Sequence, residues 1–217
     1  MQRKVIKYSI AAIAIVFIVF NSVYFRKLSE VSAENAVHEF DATSYADRYW
    51  EEEIIPSVSN AIEFSELLNQ LNQDPELAFR EHSHALGIGN IRYFMVKGKG
   101  KVVSINANDV ILDIHSGTNK TQIHLATEFV YGNAVRDAVG AIDLNEFTNT
   151  MDLNKVSAEI NKRIRQHIIP PFKNQVKINA VVNFAGAVEL NQKFLDLESI
   201  ELIPVSLKWT DYDPLKR

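Results

Sequence analysis

An arginine and an aspartate stand side by side at Arg136 and Asp137, shortly after the pair Gly132-Asn133. A guanidinium beside a carboxylate can clamp the hydroxyls or the carboxylate of a small ligand, because its N–H donors form a fork that matches paired oxygen acceptors. The structural alternative is that Arg136 ties its loop to the rest of the fold through bonds to main-chain carbonyls, with Gly132 supplying a positive φ. Ligand or partner contact and loop tethering are therefore the two roles open to this segment.

The histidines offer weaker patterns. His82 and His84 stand two apart, but the sequence around them predicts a helix end, where side chains at that spacing diverge. His115 and His124 can approach each other across neighbouring predicted strands, yet no third ligand is identifiable beside them. We therefore predict no metal site and no cofactor.

Motifs of nucleophilic catalysis are missing from the sequence. It contains neither a Gly-x-Ser-x-Gly elbow nor a Ser-x-x-Lys motif. The acidic run Glu51-Glu52-Glu53 suggests paired carboxylates, but consecutive residues of a helix point to different sides, which favours a solvated face. We predict no catalytic residues and no enzyme activity, with a hydrolase of unrecognised site as the least favoured alternative.

The run Lys97-Gly98-Lys99-Gly100-Lys101 combines glycines and cations, as phosphate-binding loops do. It leads into a predicted strand rather than a helix N-terminus, and it lacks the terminal Ser or Thr beside a lysine. The sequence therefore predicts a bulge or hairpin turn with solvated lysines.

Charge and cysteine content exclude several classes of function. The net charge of the 217 residues is −4, and residues 34–217, with 18 basic and 26 acidic residues, reach −8. A body this acidic lacks the charge that attracts nucleic acid or an anionic membrane surface. The sequence has no cysteine, which excludes a disulfide scaffold, a thiolate zinc site, a Cys nucleophile and a lipid-modified N-terminal Cys.

Residues 1–33 are predicted to be a basic cytoplasmic end followed by a signal anchor. Eighteen uncharged residues lie between Lys7 and Arg26, and at about 1.5 Å per residue they reach about 27 Å, just enough to span a bilayer. Basic residues before this stretch favour a cytoplasmic N-terminus and a single pass through the inner membrane. The alternative is a signal peptide cleaved at Val31-Ser32-Ala33; both interpretations place residues 34–217 in the periplasm or outside the cell.

Helical spacing dominates residues 34–88, which we predict to be a helical segment that packs on the domain that follows. Two of its helices are predicted at about residues 60–72 and about residues 75–85. Asp74 is placed to cap the second helix, and Gly87-Ile88-Gly89 is placed to close it.

Residues 89–217 alternate predicted strands with turns and contain one amphipathic helix. The strands, rich in β-branched and aromatic residues, are predicted at 91–96, 101–105, 110–115, 121–127, about 175–184 and about 198–208. Apolar residues every three or four positions predict the helix at about 152–168, ended by Pro170-Pro171. Several strands, one helix and two strands is the order of an OB-fold. We predict an α+β protein with an OB-like five-stranded β-barrel and one inserted helix, preceded by a helical segment and an N-terminal transmembrane helix.

Several strings of residues together resemble an uncharacterised bacterial family. The most specific string is Gly132-Asn133-Ala134-Val135-Arg136-Asp137-Ala138, followed by Phe147, Asn149 and Asn161. Weaker strings are Phe40-Asp41-Ala42, Tyr45-Ala46-Asp47, Trp50, Ile55-Pro56, the lysine–glycine run, Gly186-Ala187 and Ile203-Pro204-Val205. From about Phe40 to about Leu207 the chain is similar to domain-of-unknown-function family 2291, described as predicted periplasmic lipoproteins. The sequence departs from that label because it has no cysteine.

The resemblance implies a periplasmic location and genomic company with ATP-driven sugar uptake systems. We therefore predict a membrane-anchored accessory or interaction module whose partners are components of a sugar ABC transporter. The alternative is a binding protein for a sugar or sugar acid, with Tyr93, Phe94 and Tyr131 as candidates for a stacking face, although such side chains are more often core. The candidate ligand or partner residues are Gly132, Asn133, Arg136, Asp137, Asn149 and Asn161.

Overall fold

The computed structural model describes residues 40–116 and 119–209 and, before them, only the single positions Tyr8, Phe17 and Lys27. The segments predicted as membrane anchor and as cleavage site therefore lie outside the described residues, apart from Tyr8 and Phe17. In the described ranges, no helix has both the length and the apolar composition that a membrane span requires. The chain divides into two compact units after Phe40, and the second, Asp41–Arg217, contains the barrel.

Helices and two very short strands occupy the first part of this unit. They are α1 (Ala42–Tyr49), a π-helical turn (Trp50–Ile54), α2 (Ile55–Asn60), β1 (Ile62–Glu63), α3 (Phe64–Gln73), α4 (Pro75–His82) and β2 (Ser83–His84). Asp74 caps α4 as predicted, since its Oδ1 accepts a hydrogen bond from the Leu77 amide at 3.0 Å. The predicted closure of this helix at Gly87 is wrong. The chain leaves the helix after His82 because Ser83-His84 pairs with the strand that follows.

Five longer strands form a barrel. They are β3 (Ile91–Ile105), β4 (Asp109–Ser116), β5 (Asn119–Ala126), β6 (Val181–Asn191) and β7 (Ile200–Trp209). Their order is β3-β4-β5-β7-β6, and β6 closes the ring by pairing with β3 from Ile91 to Lys101. The β5–β7 pair is parallel and the other neighbours in the ring are antiparallel. This is the Greek-key arrangement that the order of strands and helix indicated.

β3 is one strand of 15 residues, where the sequence predicted two strands with a glycine turn between them. Side chains from neighbouring strands occupy the space that a Cβ would need at its glycines. A Cβ at Gly98 would lie 2.9 Å from Cζ of Phe184, and one at Gly100 would lie 2.9 Å from Cβ of Leu112. The turn prediction is wrong because these glycines make room for packing inside a continuous strand.

The connection between β5 and β6 contains more helix than predicted. It consists of α5 (Ala134–Val139), a 3₁₀ turn (Leu144–Glu146), α6 (Thr150–Arg163), a π-helical turn (Ile164–Ile168) and α7 (Ile169–Lys173). The predicted end before Pro170-Pro171 is wrong, because these prolines stand in the first turn of α7, where a missing N–H leaves no bond unmade. Turns at residues 174–180 then delay the next strand, which begins at Val181 rather than near residue 175.

Aromatic pairs fasten α3 and α4 to the barrel wall. Phe64 of α3 packs edge-to-face against Phe184 of β6, with ring centroids 6.3 Å apart. Phe79 of α4 packs in the same way against Phe94 of β3 at 5.2 Å. Phe94, one of the predicted stacking residues, is thus part of the core.

Candidate functional site

Arg136 and Asp137 lie in α5 and are buried, with 3% and 5% of their surfaces exposed. Nε of Arg136 donates to Oδ1 of Asp137 at 2.6 Å. Nη1 of Arg136 donates to the Leu153 carbonyl at 3.1 Å and to the Ser157 hydroxyl at 2.8 Å. These bonds tie α5 to α6, because a buried guanidinium that loses its partners destabilises the folded protein strongly.

Asn133 and Asn161 join the same two parts of the chain. Oδ1 of Asn133 accepts from the Ser157 hydroxyl at 3.1 Å, and Nδ2 of Asn161 donates to the Gly132 carbonyl at 2.8 Å. Gly132 has a φ of 79°, the conformation expected of it, in which only glycine is unstrained. These contacts are the ones that the structural interpretation of Arg136 requires, and contact with a ligand or partner stays a prediction.

Asn149 has a separate local role as the N-cap of α6. Its Oδ1 accepts from the Asp152 amide at 2.9 Å, and its Nδ2 donates to Oδ2 of Asp152 at 2.8 Å. The structure therefore brings the other five candidate residues together between α5 and α6 and leaves Asn149 at the start of α6.

Burial raises the pKa values of Asp137 and of two tyrosines near it. Burial raises the pKa of Asp137, against the opposing effect of Arg136. The Tyr49 hydroxyl donates to the Arg136 carbonyl at 3.0 Å, and burial raises the pKa of Tyr49 far above its usual range. Burial, followed by the charge of Glu189, raises the pKa of Tyr93 to about 12.

Most polar groups in this cluster already have partners. Over the described part of the chain, Thr127 Oγ1 is the only buried side-chain polar atom without a hydrogen-bond partner. A ligand that took Nε or Nη1 of Arg136, or Oδ1 of Asp137, would therefore have to replace existing bonds.

His115 and His124 are not paired with each other across β4 and β5. No group of three or more His, Asp or Glu side chains among the described residues could hold a metal ion. In the β4–β5 register, His115 stands opposite Lys120 and His124 stands opposite Ile111. Nδ1 of His124 instead lies 2.6 Å from Oδ2 of Asp109.

The loop between β5 and α5 exposes an aromatic pair. Phe129 and Tyr131 are 58% and 66% exposed, while Val130 between them is fully buried. The Arg165 guanidinium stacks over the Tyr131 ring at 5.1 Å and donates to the Val130 carbonyl. We call Phe129-Val130-Tyr131 the aromatic loop. Its sequence signal is strand-like alternation, which puts the first and third side chains on one side.

A groove of about 460 Å³ lies between α1 and α6. The Arg163 guanidinium crosses it, bonded to Oδ1 of Asp47 at 3.0 Å and to Oε1 of Glu51 at 2.6 Å. The same guanidinium lies 4.9 Å from the centre of the Trp50 ring. Its charge and the indole face are therefore already engaged within the protein.

The ring of five strands, with its helical connection between β5 and β6, defines an OB-fold. In agreement, the chain is similar to a solved OB-fold protein from Thermotoga maritima MSB8, with a TM-score of 0.70 and 24% identity over 79% of this chain and 99% of that chain. At this identity the likeness concerns the fold, and it confirms the predicted OB-like barrel.

The family is shown by the sequence itself. Residues 13–208 match the family described as "Predicted periplasmic lipoprotein (DUF2291)", so the chain belongs to it, as the resemblance indicated. That description also agrees with the predicted periplasmic location. No match is found among curated proteins.

Proposed function

We propose that the protein is a non-enzymatic accessory module, anchored at the inner membrane, that binds an extracytoplasmic component of a sugar uptake system through its aromatic loop. The observation that carries this proposal is the outward pair Phe129 and Tyr131 on a loop held in place by Val130 and Arg165. Aromatic and arginine side chains are enriched in protein interfaces and among the residues that contribute most to binding.

The energetics of the aromatic loop suit a transient partner. Covering one large apolar side chain contributes about 1.5–3 kcal/mol. Because Val130 is buried and its carbonyl is bonded to Arg165, little backbone freedom remains to be lost on binding. Two aromatic side chains on a fixed loop can therefore serve as the centre of a small interface.

The choice of partner rests on the family and on charge. The resemblance to family 2291 implies the company of ATP-driven sugar uptake systems. A net charge of −8 over residues 34–217 opposes binding of the body to anionic lipid, which favours a protein partner. The predicted N-terminal anchor would hold the module beside the transporter.

Copurification tests the proposal. Tagged full-length protein is crosslinked and purified from native membranes, and the proteins that come with it are identified by mass spectrometry. We expect a transporter subunit or sugar-binding protein, reduced at least about tenfold by the double variant Phe129→Ala/Tyr131→Ala. The matched control is Phe194→Ala, since Phe194 is 71% exposed but lies in the β6–β7 loop.

Two results would contradict it. One is the recovery of no sugar-transport component with the wild-type protein. The other is equal recovery with the wild-type protein and the Phe129→Ala/Tyr131→Ala variant, which would move the interface elsewhere.

The second candidate function is binding of a sugar or sugar acid at Arg136 and Asp137. Support comes from the gathering of most candidate residues between α5 and α6. Binding there would have to replace the bonds of Arg136 to Leu153 and Ser157. A thermal shift assay tests it, since a ligand at about 100 times its dissociation constant adds about 2.7 kcal/mol of stability; no shift with sugars or sugar acids would count against it.

A further inference from the structure

A cleft of about 550 Å³ opens where β3 begins and β6 ends. Three of its lining side chains are cationic, Arg80, Arg92 and Lys193, and one, Glu76, is acidic. In a protein whose residues 34–217 carry a net charge of −8, this cleft has the opposite sign. A local excess of positive charge in a concave site favours anions.

Arg92 is held in a fixed position in this cleft. Its Nε donates to the Ser83 hydroxyl at 2.9 Å and its Nη2 donates to the Ser83 carbonyl at 3.0 Å. Ser83 is itself buried, and its hydroxyl donates to the Phe79 carbonyl. These bonds use one edge of the guanidinium, and among the described residues no acceptor bonds to Nη1, so the terminal edge remains for a ligand.

The opposite rim is fixed by main-chain bonds. The Gln192 amide donates to the Asn90 carbonyl at 2.8 Å, which joins the two strand ends that border the cleft. Oδ1 of Asn191 accepts from the amides of Lys193 and Phe194 at 3.0 and 3.1 Å. The backbone at Lys193 is therefore held in an ordered turn.

The remaining cation is more loosely held. Nε of Arg80 lies 3.1 Å from Oε1 of Glu81, and both side chains are largely exposed. An exposed pair of this kind contributes about 0–1 kcal/mol, so Arg80 can exchange its partner at little cost.

We propose that this cleft binds the carboxylate or phosphate group of a small hydroxylated molecule. The fixed guanidinium of Arg92 donates hydrogen bonds to two oxygens of the anion, and Lys193 and Arg80 balance its charge. Asn90 and Gln192 line the same cleft, and their side-chain amides can supply both donors and acceptors for hydroxyl groups.

The cleft and the aromatic loop are independent surfaces. Nζ of Lys173 lies 3.1 Å from Oε2 of Glu128, which precedes the aromatic loop, and 3.5 Å from the carbonyl oxygen of Ala107, which follows β3. The aromatic loop is therefore near the C-terminal end of β3. The cleft lies at the N-terminal end of that strand. The anion site therefore does not rest on the proposed partner contact.

Calorimetry with the purified full-length protein tests the site. The probes are glucuronate, glucose 6-phosphate and inorganic phosphate, with glucose as the neutral control, all at one ionic strength. We expect the anionic probes to bind and glucose not to bind. Arg92→Gln should weaken binding at least about tenfold, the lower limit for loss of a charge-assisted hydrogen bond.

Two further variants separate binding from folding. Arg92→Gln removes bonds to Ser83 and can lower stability, whereas Arg80→Gln/Lys193→Gln changes only exposed parts of the rim and should also weaken binding several-fold. Lys99→Gln, at an exposed position in the middle of β3, removes one charge elsewhere and should leave binding unchanged. The Phe129→Ala/Tyr131→Ala variant should bind the probes normally, so failure of the partner proposal would not mimic failure of this one.

Three outcomes would overturn the site. The first is no binding of any anionic probe at millimolar concentration. The second is equal affinity of the wild-type protein and the Arg80→Gln/Lys193→Gln variant. The third is retention on phosphatidylglycerol vesicles that the Arg80→Gln/Lys193→Gln variant loses, without binding of the soluble probes by the wild-type protein, which would assign the cleft to lipid phosphate.

Discussion

Nη1 of Arg136 lies 3.1 Å from the carbonyl oxygen of Leu153 and 2.8 Å from the hydroxyl of Ser157 one turn later. One guanidinium group thus contacts a full turn of α6 from α5, while Asp137 balances its charge from the adjacent position. The most specific string of the family resemblance therefore encodes a junction between two helices.

Arg136→Ala should destabilise the protein strongly. The substitution leaves the buried Asp137 carboxylate without its cation, and removal of one member of a buried pair costs about 3–5 kcal/mol. Denaturant unfolding of the purified protein measures the change. The matched control is Arg48→Ala, because Arg48 is exposed and its guanidinium stacks on the Tyr45 ring at the surface, so its loss should cost less than about 0.5 kcal/mol. A loss below about 1 kcal/mol for Arg136→Ala would show that the pair does not hold α5 to α6.

Gly186→Ala should disrupt the pairing of β6 with β7. A Cβ at this position would lie 2.2 Å from the Ile203 carbonyl oxygen, which is backbone of the paired strand and cannot rotate away. We expect a loss of about 3 kcal/mol or more in the free energy of unfolding. Gly87→Ala is the control, since a Cβ there meets nothing within 4 Å, and it should be neutral or slightly stabilising. Equal unfolding midpoints for the two variants would contradict this account of Gly186.

Asp113 should make stability fall in acid. Burial alone would raise its pKa, but bonds from Lys120 at 2.7 Å and Gln122 at 3.0 Å hold the pKa of this carboxyl below its ordinary value of 3.8. Because the pKa is lower in the folded state, the contribution of Asp113 is present above pH 3.8 and is lost as the pH falls through the folded-state pKa.

Unfolding midpoints measured between pH 2 and pH 6 check this dependence. Asp113→Asn should flatten the acid side of the profile, and Lys120→Gln should remove most of the same dependence. An unchanged profile in both variants would show that other carboxylates dominate acid unfolding.

Arg165→Ala should loosen the aromatic loop without removing its aromatic side chains. The loop would lose the bond to the Val130 carbonyl and the stacking on Tyr131. The free energy that holds the loop in this conformation should fall by about 1–2 kcal/mol. Limited digestion with chymotrypsin should therefore cleave after Phe129 or Tyr131 several-fold faster. Arg163→Ala, which removes a similar stacking contact on Trp50, should not change cleavage at this loop. Equal cleavage of both variants would mean that Val130 alone orders the loop.

The strand and helix pattern was enough to predict the barrel, because alternation and apolar spacing are local properties. The role of the glycines in β3 could not be predicted in this way, because it depends on contacts with other strands. Gly98 and Gly100 are usual turn residues, and only Phe184 and Leu112, which are distant along the chain, explain why they stand inside a strand. The extent of β3 follows from these contacts and not from its own residues.

The candidate site shows the same limit. The sequence signal at Arg136-Asp137 marks a real cluster, but its burial depends on Leu153 and Ser157 of another helix. The sequence did not predict the cleft around Arg92 because its three cations come from three different elements, α4, β3 and the β6–β7 loop.

β3 has hydrogen-bonded neighbours on both sides. β6 follows one edge from Ile91 to Lys101, while β2, β1 and β4 take successive parts of the other. Unpaired strand edges are the usual starting points of amyloid-like stacking and of domain swapping. In the described strands of this ring, the longest therefore offers foreign chains little free backbone for edge-to-edge pairing.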